Sequence, residues 1–291
     1  MRRIAIANQK GGVGKTTTAA NLGACLALLN RRVLLIDVDP QANASVHLGI
    51  GVARGEASTY TLLRGESTLE ETIRDTMLQA LRIIPSNIDL AGLEVELSAE
   101  GAGRERCLAK ALQELGEPLD FVLVDCPPSL GLLTLNALCA VEEVFIPLQT
   151  EFFALQGLGR LINTVQLVRA SLNPRLELTG IIAVMFDVRT ALGLEVIQDI
   201  KEHFGDRVFE TVVRKNIQLA EAPSFGLPIT HYDITCFGTE DYRSLALEVL
   251  AKAGERTDIP IRDNSIPPLP AEALAGAEQE RAEVGAYNAA A

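Results

Sequence analysis

The sequence predicts an α/β fold: a doubly wound, mostly parallel sheet with helices on both faces, built as a single domain. Three observations predict it. Short β-branched, almost wholly apolar runs alternate with stretches of helical periodicity, a glycine-rich loop joins the first run to the first stretch, and 291 residues at 48% apolar and 22% charged suit one globular domain. Near-continuous apolar runs are the mark of strands buried on both faces. On that basis strands are expected over residues 3–7, 32–36, 81–84, 121–124, 143–146 and 180–185. The intervening stretches 15–30, 104–115, 134–140, 155–172 and 192–204 read as crossover helices, with Asn173-Pro174 closing the fourth of them and 240–252 as a final helix packed back on the sheet. Ligands of such sheets sit beyond the carboxyl ends of the strands.

The globular domain is expected over residues 1–253. From 254 to 291 the pattern dissolves into an acidic tail rich in proline and alanine, including Ile266-Pro267-Pro268-Leu269-Pro270, and disorder is expected there. The whole chain carries 38 acidic against 26 basic side chains, a net charge of -12, of which the tail holds -4 and the rest -8. An acidic core weakens long-range attraction of a polyanion. No apolar run reaches the roughly 18 residues of a membrane-spanning helix, and 4–7 is too short for a signal-peptide core. A cytoplasmic protein is expected. The five cysteines are odd in number and lack a C-x-x-C pair, which argues against a disulfide framework or zinc site.

The strongest chemical signal is Lys10-Gly11-Gly12-Val13-Gly14-Lys15-Thr16-Thr17, between the first strand and the first helix. Successive backbone N–H groups can converge on phosphate oxygens only where side chains do not obstruct them, and Gly11, Gly12 and Gly14 provide that room. With Val13 and Thr17 they form the expected cradle. Lys15 then reaches the β- and γ-phosphates, Thr16 ligates Mg²⁺, and the helix N-terminus adds partial positive charge. The fold is therefore expected to be P-loop NTPase-like, with ATP and Mg²⁺ as cofactors. The general pattern has glycine where this chain has Gln9, and Lys10 adds a second positive charge, which suggests action on a nucleotide held by a second subunit. Two further runs end in aspartate: Leu35-Ile36-Asp37-Val38-Asp39-Pro40-Gln41 and Val124-Asp125-Cys126-Pro127-Pro128. An acid after an apolar strand supports the metal in P-loop enzymes, so Asp125 is the natural candidate and Asp39 could orient the attacking water. A turn or helix cap is the plain alternative for either one alone. The candidate metal set is Thr16, Asp39 and Asp125.

These segments resemble the deviant Walker-A ATPases of the ParA/MinD superfamily, and within it the ParA/Soj chromosome-partitioning family. Gly131 to Leu138, Glu151 to Gly157 and Leu219 to Ile229 extend the resemblance, which runs from about Met1 to Lys252. It implies slow, partner-stimulated ATP hydrolysis and an ATP-dependent sandwich homodimer in which Lys10 crosses to the partner's nucleotide. By the same carry-over Lys15 and Lys10 act in catalysis with Asp39 as hydrolytic aspartate, and Asn216 reads the adenine. A ParB-type centromere-binding partner and sequence-independent binding of double-stranded DNA, with nucleoid association in the ATP state, complete the implication.

Arg189, Arg214, Lys215 and Arg243 form the expected DNA patch. It is thin: Gln218 stands where the family usually has an arginine, and Ile234-Thr235-Cys236-Phe237 replaces a basic stretch. Since such binding is mainly phosphate neutralisation, each lost charge weakens it. The alternative is a nucleotide switch of the same family that positions a protein cargo without DNA. A membrane-surface oscillator is disfavoured by a proline-containing acidic tail with no lysine after Lys252, and a metal-cluster ATPase by the lack of a partner for Cys126. The first strand begins almost at Met1, which argues against a preceding operator-binding domain.

Overall fold

The computed structural model describes residues 1–98, 101, 103–116, 118–150 and 154–254. These fall in one compact unit, Met1–Pro260, and a second unit, Ile261–Ala291, lies wholly outside the described residues. The expected tail is therefore beyond description apart from Gly254, as is Glu151 to Phe153.

Seven strands form one sheet: β1 Arg2–Ile6, β2 Val33–Asp37, β3 Arg74–Asp75, β4 Leu81–Ile84, β5 Phe121–Asp125, β6 Glu143–Gln149 and β7 Glu177–Val184. Their order is β3-β4-β2-β5-β1-β6-β7, parallel throughout except for the antiparallel β3–β4 pair. All six expected strands are present. The short edge strand β3 was not foreseen, since a two-residue Arg-Asp segment carries no apolar pattern.

Side-chain alternation explains why near-continuous apolar runs were needed. On one face Ala5, Leu34, Ile36, Val122 and Val124 join a cluster with Leu93, Leu108, Leu138, Leu161 and Ile200 from the overlying helices. On the other, Ile4, Ile6, Val33, Leu35, Phe121 and Leu123 pack on Leu22 and Leu26 of the helix Lys15–Leu28 and on Leu245 and Val249 of the helix Phe237–Lys252. Consecutive residues of one strand thus serve opposite cores, with period two. Each of the larger side chains among them, the valines, leucines, isoleucines and Phe121, contributes about 1.5–3 kcal/mol by leaving water.

Boundaries shift where tertiary contacts override local pattern. The expected helix 104–115 is instead a short helix, Cys107–Ala111, flanked by 3-10 turns at Arg104–Arg106 and Leu112–Glu114. Strand β7 ends one residue before Met185, which takes a left-handed backbone with φ 53°. Short helices at Asn43–His47, Thr59–Arg64 and Leu69–Thr72 and a longer one at Leu90–Ser98 were also unforeseen. Two of these carried a legible start signal: Thr68 with Glu71 is a reciprocal capping box, and at Ser58 the backbone N–H donates to the Thr61 hydroxyl at 3.0 Å. Among the described residues no helix is long and apolar enough to cross a membrane.

Candidate functional site

Strand β1 stops at Ile6 and the chain turns across the carboxyl edge of the sheet. Buried Asn8 anchors that turn, its Nδ2 donating to the Pro147 carbonyl at 2.7 Å and its Oδ1 accepting the Lys10 N–H at 3.0 Å. Gly12 and Gly14 follow at φ 69° and 82°, left-handed conformations that favour glycine. Val13 turns inward and is buried in the apolar core, so its side chain anchors the loop while its neighbours stay open. The helix Lys15–Leu28 starts at Gly14 with no side-chain cap and no acid in its first turn. Its first N–H groups and its partial positive charge therefore face the loop, a seat for an anion.

Lys15 is 6% exposed and its Nζ donates to the Lys10 carbonyl at 3.1 Å. Burial pulls its pKa below the ordinary lysine value, an effect opposed by nearby Asp125 and Asp39. An ammonium held this way gains from an incoming polyanion.

The parallel register sets Asp125 level with Ile6 on one side and Asp37 on the other. Asp125 is wholly buried; Oδ2 accepts the Thr16 hydroxyl at 2.7 Å, and Oδ1 is buried with no partner. Burial, then the neighbouring Asp37, push its pKa well above the usual carboxylate range. The two aspartates of the second strand separate by role. Asp37 is spent on the local fold, accepting the Asp39 N–H at 3.1 Å, the Ser45 N–H at 2.9 Å and the Ser45 hydroxyl at 2.7 Å. Asp39 accepts the Gln41 N–H at 3.0 Å and lines the cavity over the loop.

That cavity, about 530 Å³, is bounded by Gly11, Gly12, Lys15, Thr16 and Asp39 together with Gln41, Asn43 and His47. A second of about 210 Å³ holds Asn216, Val213 and Tyr242. Gly14, Thr17 and Met185 line both, so one groove runs from the loop to Asn216, whose Oδ1 is buried without a partner. Among the described residues no cluster of His, Cys, Asp or Glu forms a ready metal site. The donors present suit a hard cation completed by phosphate and water: the Thr16 hydroxyl, with the spare Asp125 oxygen behind it to accept from a metal-bound water.

The expected basic patch is only partly assembled. Arg189, Arg214 and Lys215 line a third cavity of about 650 Å³ with Phe186, Ile217 and Phe237, whereas Arg243 is not among its walls. Arg189 binds Asp187 through two bonds of 2.8 and 2.7 Å. Arg214 binds Asp241 and Glu240 and stacks 4.2 Å above the Phe237 ring. Arg243 is half-buried on the last helix.

Several residues of the site were not singled out from the sequence: Asn8, Ser45, His47, Gln149 and Met185. None sits in a recognisable spacing with its partner. A polar residue directly after an apolar run, as Asn8 is after residues 3–7, was the one signal available.

A family model described as an AAA domain matches residues 1–178. The chromosome partitioning protein ParA of Caulobacter vibrioides is 48% identical over 258 residues, covering 88% of this chain and 96% of that one. The sporulation initiation inhibitor protein Soj of Bacillus subtilis is 49% identical over 248 residues, 85% of this chain and 98% of that one. Among solved structures, the cobyrinic acid a,c-diamide synthase of Mycobacterium smegmatis with bound ADP and magnesium aligns with a TM-score of 0.75 at 36% identity, covering 90% of this chain and 98% of that one.

Proposed function

This chain belongs to the ParA/Soj family of chromosome-partitioning ATPases, and from that premise we propose that it is an ATP-driven dimerising switch that binds DNA without sequence preference and segregates a replicon with a ParB-type partner. The observation that carries the reading is the continuous groove from the glycine loop to Asn216, with a buried lysine at one end and an unpaired amide oxygen at the other. A nucleoside triphosphate needs both ends: N–H groups and ammonium for phosphate, and an acceptor such as the Asn216 Oδ1 for the adenine amino group.

In this reading Lys10, Gly11, Gly12, Val13, Gly14, Lys15, Thr16 and Thr17 hold the phosphates, chiefly through backbone N–H groups and the Lys15 ammonium. Thr16 ligates Mg²⁺, and Asp125 and Asp39 bind the water around it. The ion, when bound, neutralises charge on the phosphate oxygens. Asp39 orients the attacking water, and Lys10 of each copy reaches the nucleotide of the other, so hydrolysis undoes the dimer. Restrained pairing of Arg189 and Arg214 with carboxylates leaves Lys215 as the least encumbered base of the patch, and DNA binding is weak and steeply salt-dependent. That same pairing favours a second reading, a switch that positions a protein cargo.

The test is retention on non-specific double-stranded DNA over a salt series with ATP or ADP, including Asp39→Ala. Binding with ATP alone that falls steeply with salt supports the partition ATPase. ATP-dependent dimers that never retain DNA move the function to protein cargo, and absence of an ATP-dependent dimer removes both.

A further inference from the structure

The additional lysine of the loop has a partner in its own subunit. Lys10 is exposed, and its Nζ donates to Oε1 of Gln149, the last residue of β6. The other end of that amide is also engaged, Nε2 of Gln149 donating to Sδ of Met185. An ammonium can only donate and a thioether can only accept, so a single orientation of the amide satisfies both neighbours. Turned over, it would set donor against donor at Lys10. Gln149 is thereby held with its carbonyl toward the lysine.

The anchor is itself part of the nucleotide groove. Met185 lines both the loop cavity and the cavity of Asn216, and its Cε lies 3.7 Å from where a Cβ on Gly14 would stand. Its left-handed backbone, at φ 53°, is one that side chains rarely adopt. A ligand filling the groove thus touches the residue that orients Gln149.

We propose that Gln149 is a positioning residue that holds Lys10 against its own subunit and so sets how readily the lysine crosses to the nucleotide of a second copy. The proposal rests on the cross-subunit reading of Lys10 given above. Reaching a second subunit's nucleotide takes the ammonium away from Gln149, so the bond within the subunit must open before the bond between subunits forms. A hydrogen bond from a charged donor to a neutral amide at a wet surface is modest in net terms, weak enough to exchange and strong enough to move an association equilibrium. Met185 couples that exchange to occupancy of the groove.

The experiment is analytical ultracentrifugation of the full chain with Mg²⁺ and either a non-hydrolysable ATP analogue or ADP, comparing wild type with Gln149→Ala, Gln149→Glu and Lys10→Ala. With the analogue, Gln149→Ala is expected to lower the protein concentration for half-dimerisation by about three- to tenfold, the size of one modest hydrogen bond. Gln149→Glu, which sets a carboxylate against the same ammonium, is expected to raise it by a similar factor. A merely structural role would move both substitutions in one direction, so the opposed signs carry the proposal. It is overturned if Gln149→Ala dimerises no more readily than wild type while Lys10→Ala fails to dimerise. If Lys10→Ala dimerises normally, the cross-subunit reading falls first and this proposal with it.

Discussion

Replacing His47 with asparagine should remove an acid sensitivity that burial builds into the fold. His47 ends the short helix Asn43–His47, is 1% exposed, and has its Nε2 buried without a partner. Burial lowers its pKa from 6.5 to about 4. The unfolded chain therefore takes up a proton near 6.5, while the folded chain resists until about pH 4. Between those values the unfolded state binds more protons, so stability is complete above the unfolded pKa and declines as pH falls. Integrating that difference, the loss is about 2 kcal/mol from pH 7 to pH 5 and reaches about 3 kcal/mol at pH 4. Carboxylates titrate over part of the same interval, so the informative quantity is the difference between wild type and His47→Asn. Urea unfolding of the nucleotide-free proteins at pH 5, 6, 7 and 8 would measure it, and wild type should lose about 2 kcal/mol relative to the variant between pH 7 and 5. Parallel stability profiles would show that the imidazole protonates freely in the native state and refute the reasoning.

Three further outcomes are expected. Gly226→Ala should destabilise by about 3 kcal/mol in denaturant titration, combining left-handed strain with a backbone collision: Gly226 has φ +65°, and a Cβ there would lie 2.9 Å from Cα of Gly49. Lys15→Ala should abolish measurable ATP binding in equilibrium titration while leaving the fold intact, because it removes the ammonium aimed at the phosphates and leaves a small neutral side chain in a buried position. Asp39→Ala should bind ATP and accumulate as dimer in size-exclusion chromatography, with phosphate release reduced at least about a hundredfold; dimers that dissociate at the wild-type rate would refute the role of that aspartate.

The loop Lys10 to Thr17 and the six long strands were legible because each is written locally. Glycines leave the phosphate seat open wherever a strand feeds a helix, and alternating burial forces the apolar runs. The sequence singled out Asp39 rather than Asp37, but the physical reason for their different roles lies in the fold. Two carboxylates two residues apart suggest a shared face, yet β2 ends at Asp37 and the chain then turns, sending Asp37 to Ser45 and Asp39 to the cavity. The pairing within the expected basic patch was hidden for a similar reason. Counting Arg189, Arg214, Lys215 and Arg243 as four available charges ignores Asp241 and Glu240, which the last helix brings to Arg214 from 27 and 26 residues away.

What the sequence by itself determined is the kind of fold and the chemistry of its loop, since both depend on residue type and short spacing. Tertiary structure alone decided which partners complete the site. Thr16 meets Asp125 across 109 residues and Lys10 meets Gln149 across 139. Those pairings follow from a strand order in which β1 lies between β5 and β6. Burial at that junction, where many distant segments together exclude water, then lowers the pKa of Lys15 and raises that of Asp125, and no short spacing along the chain encodes it.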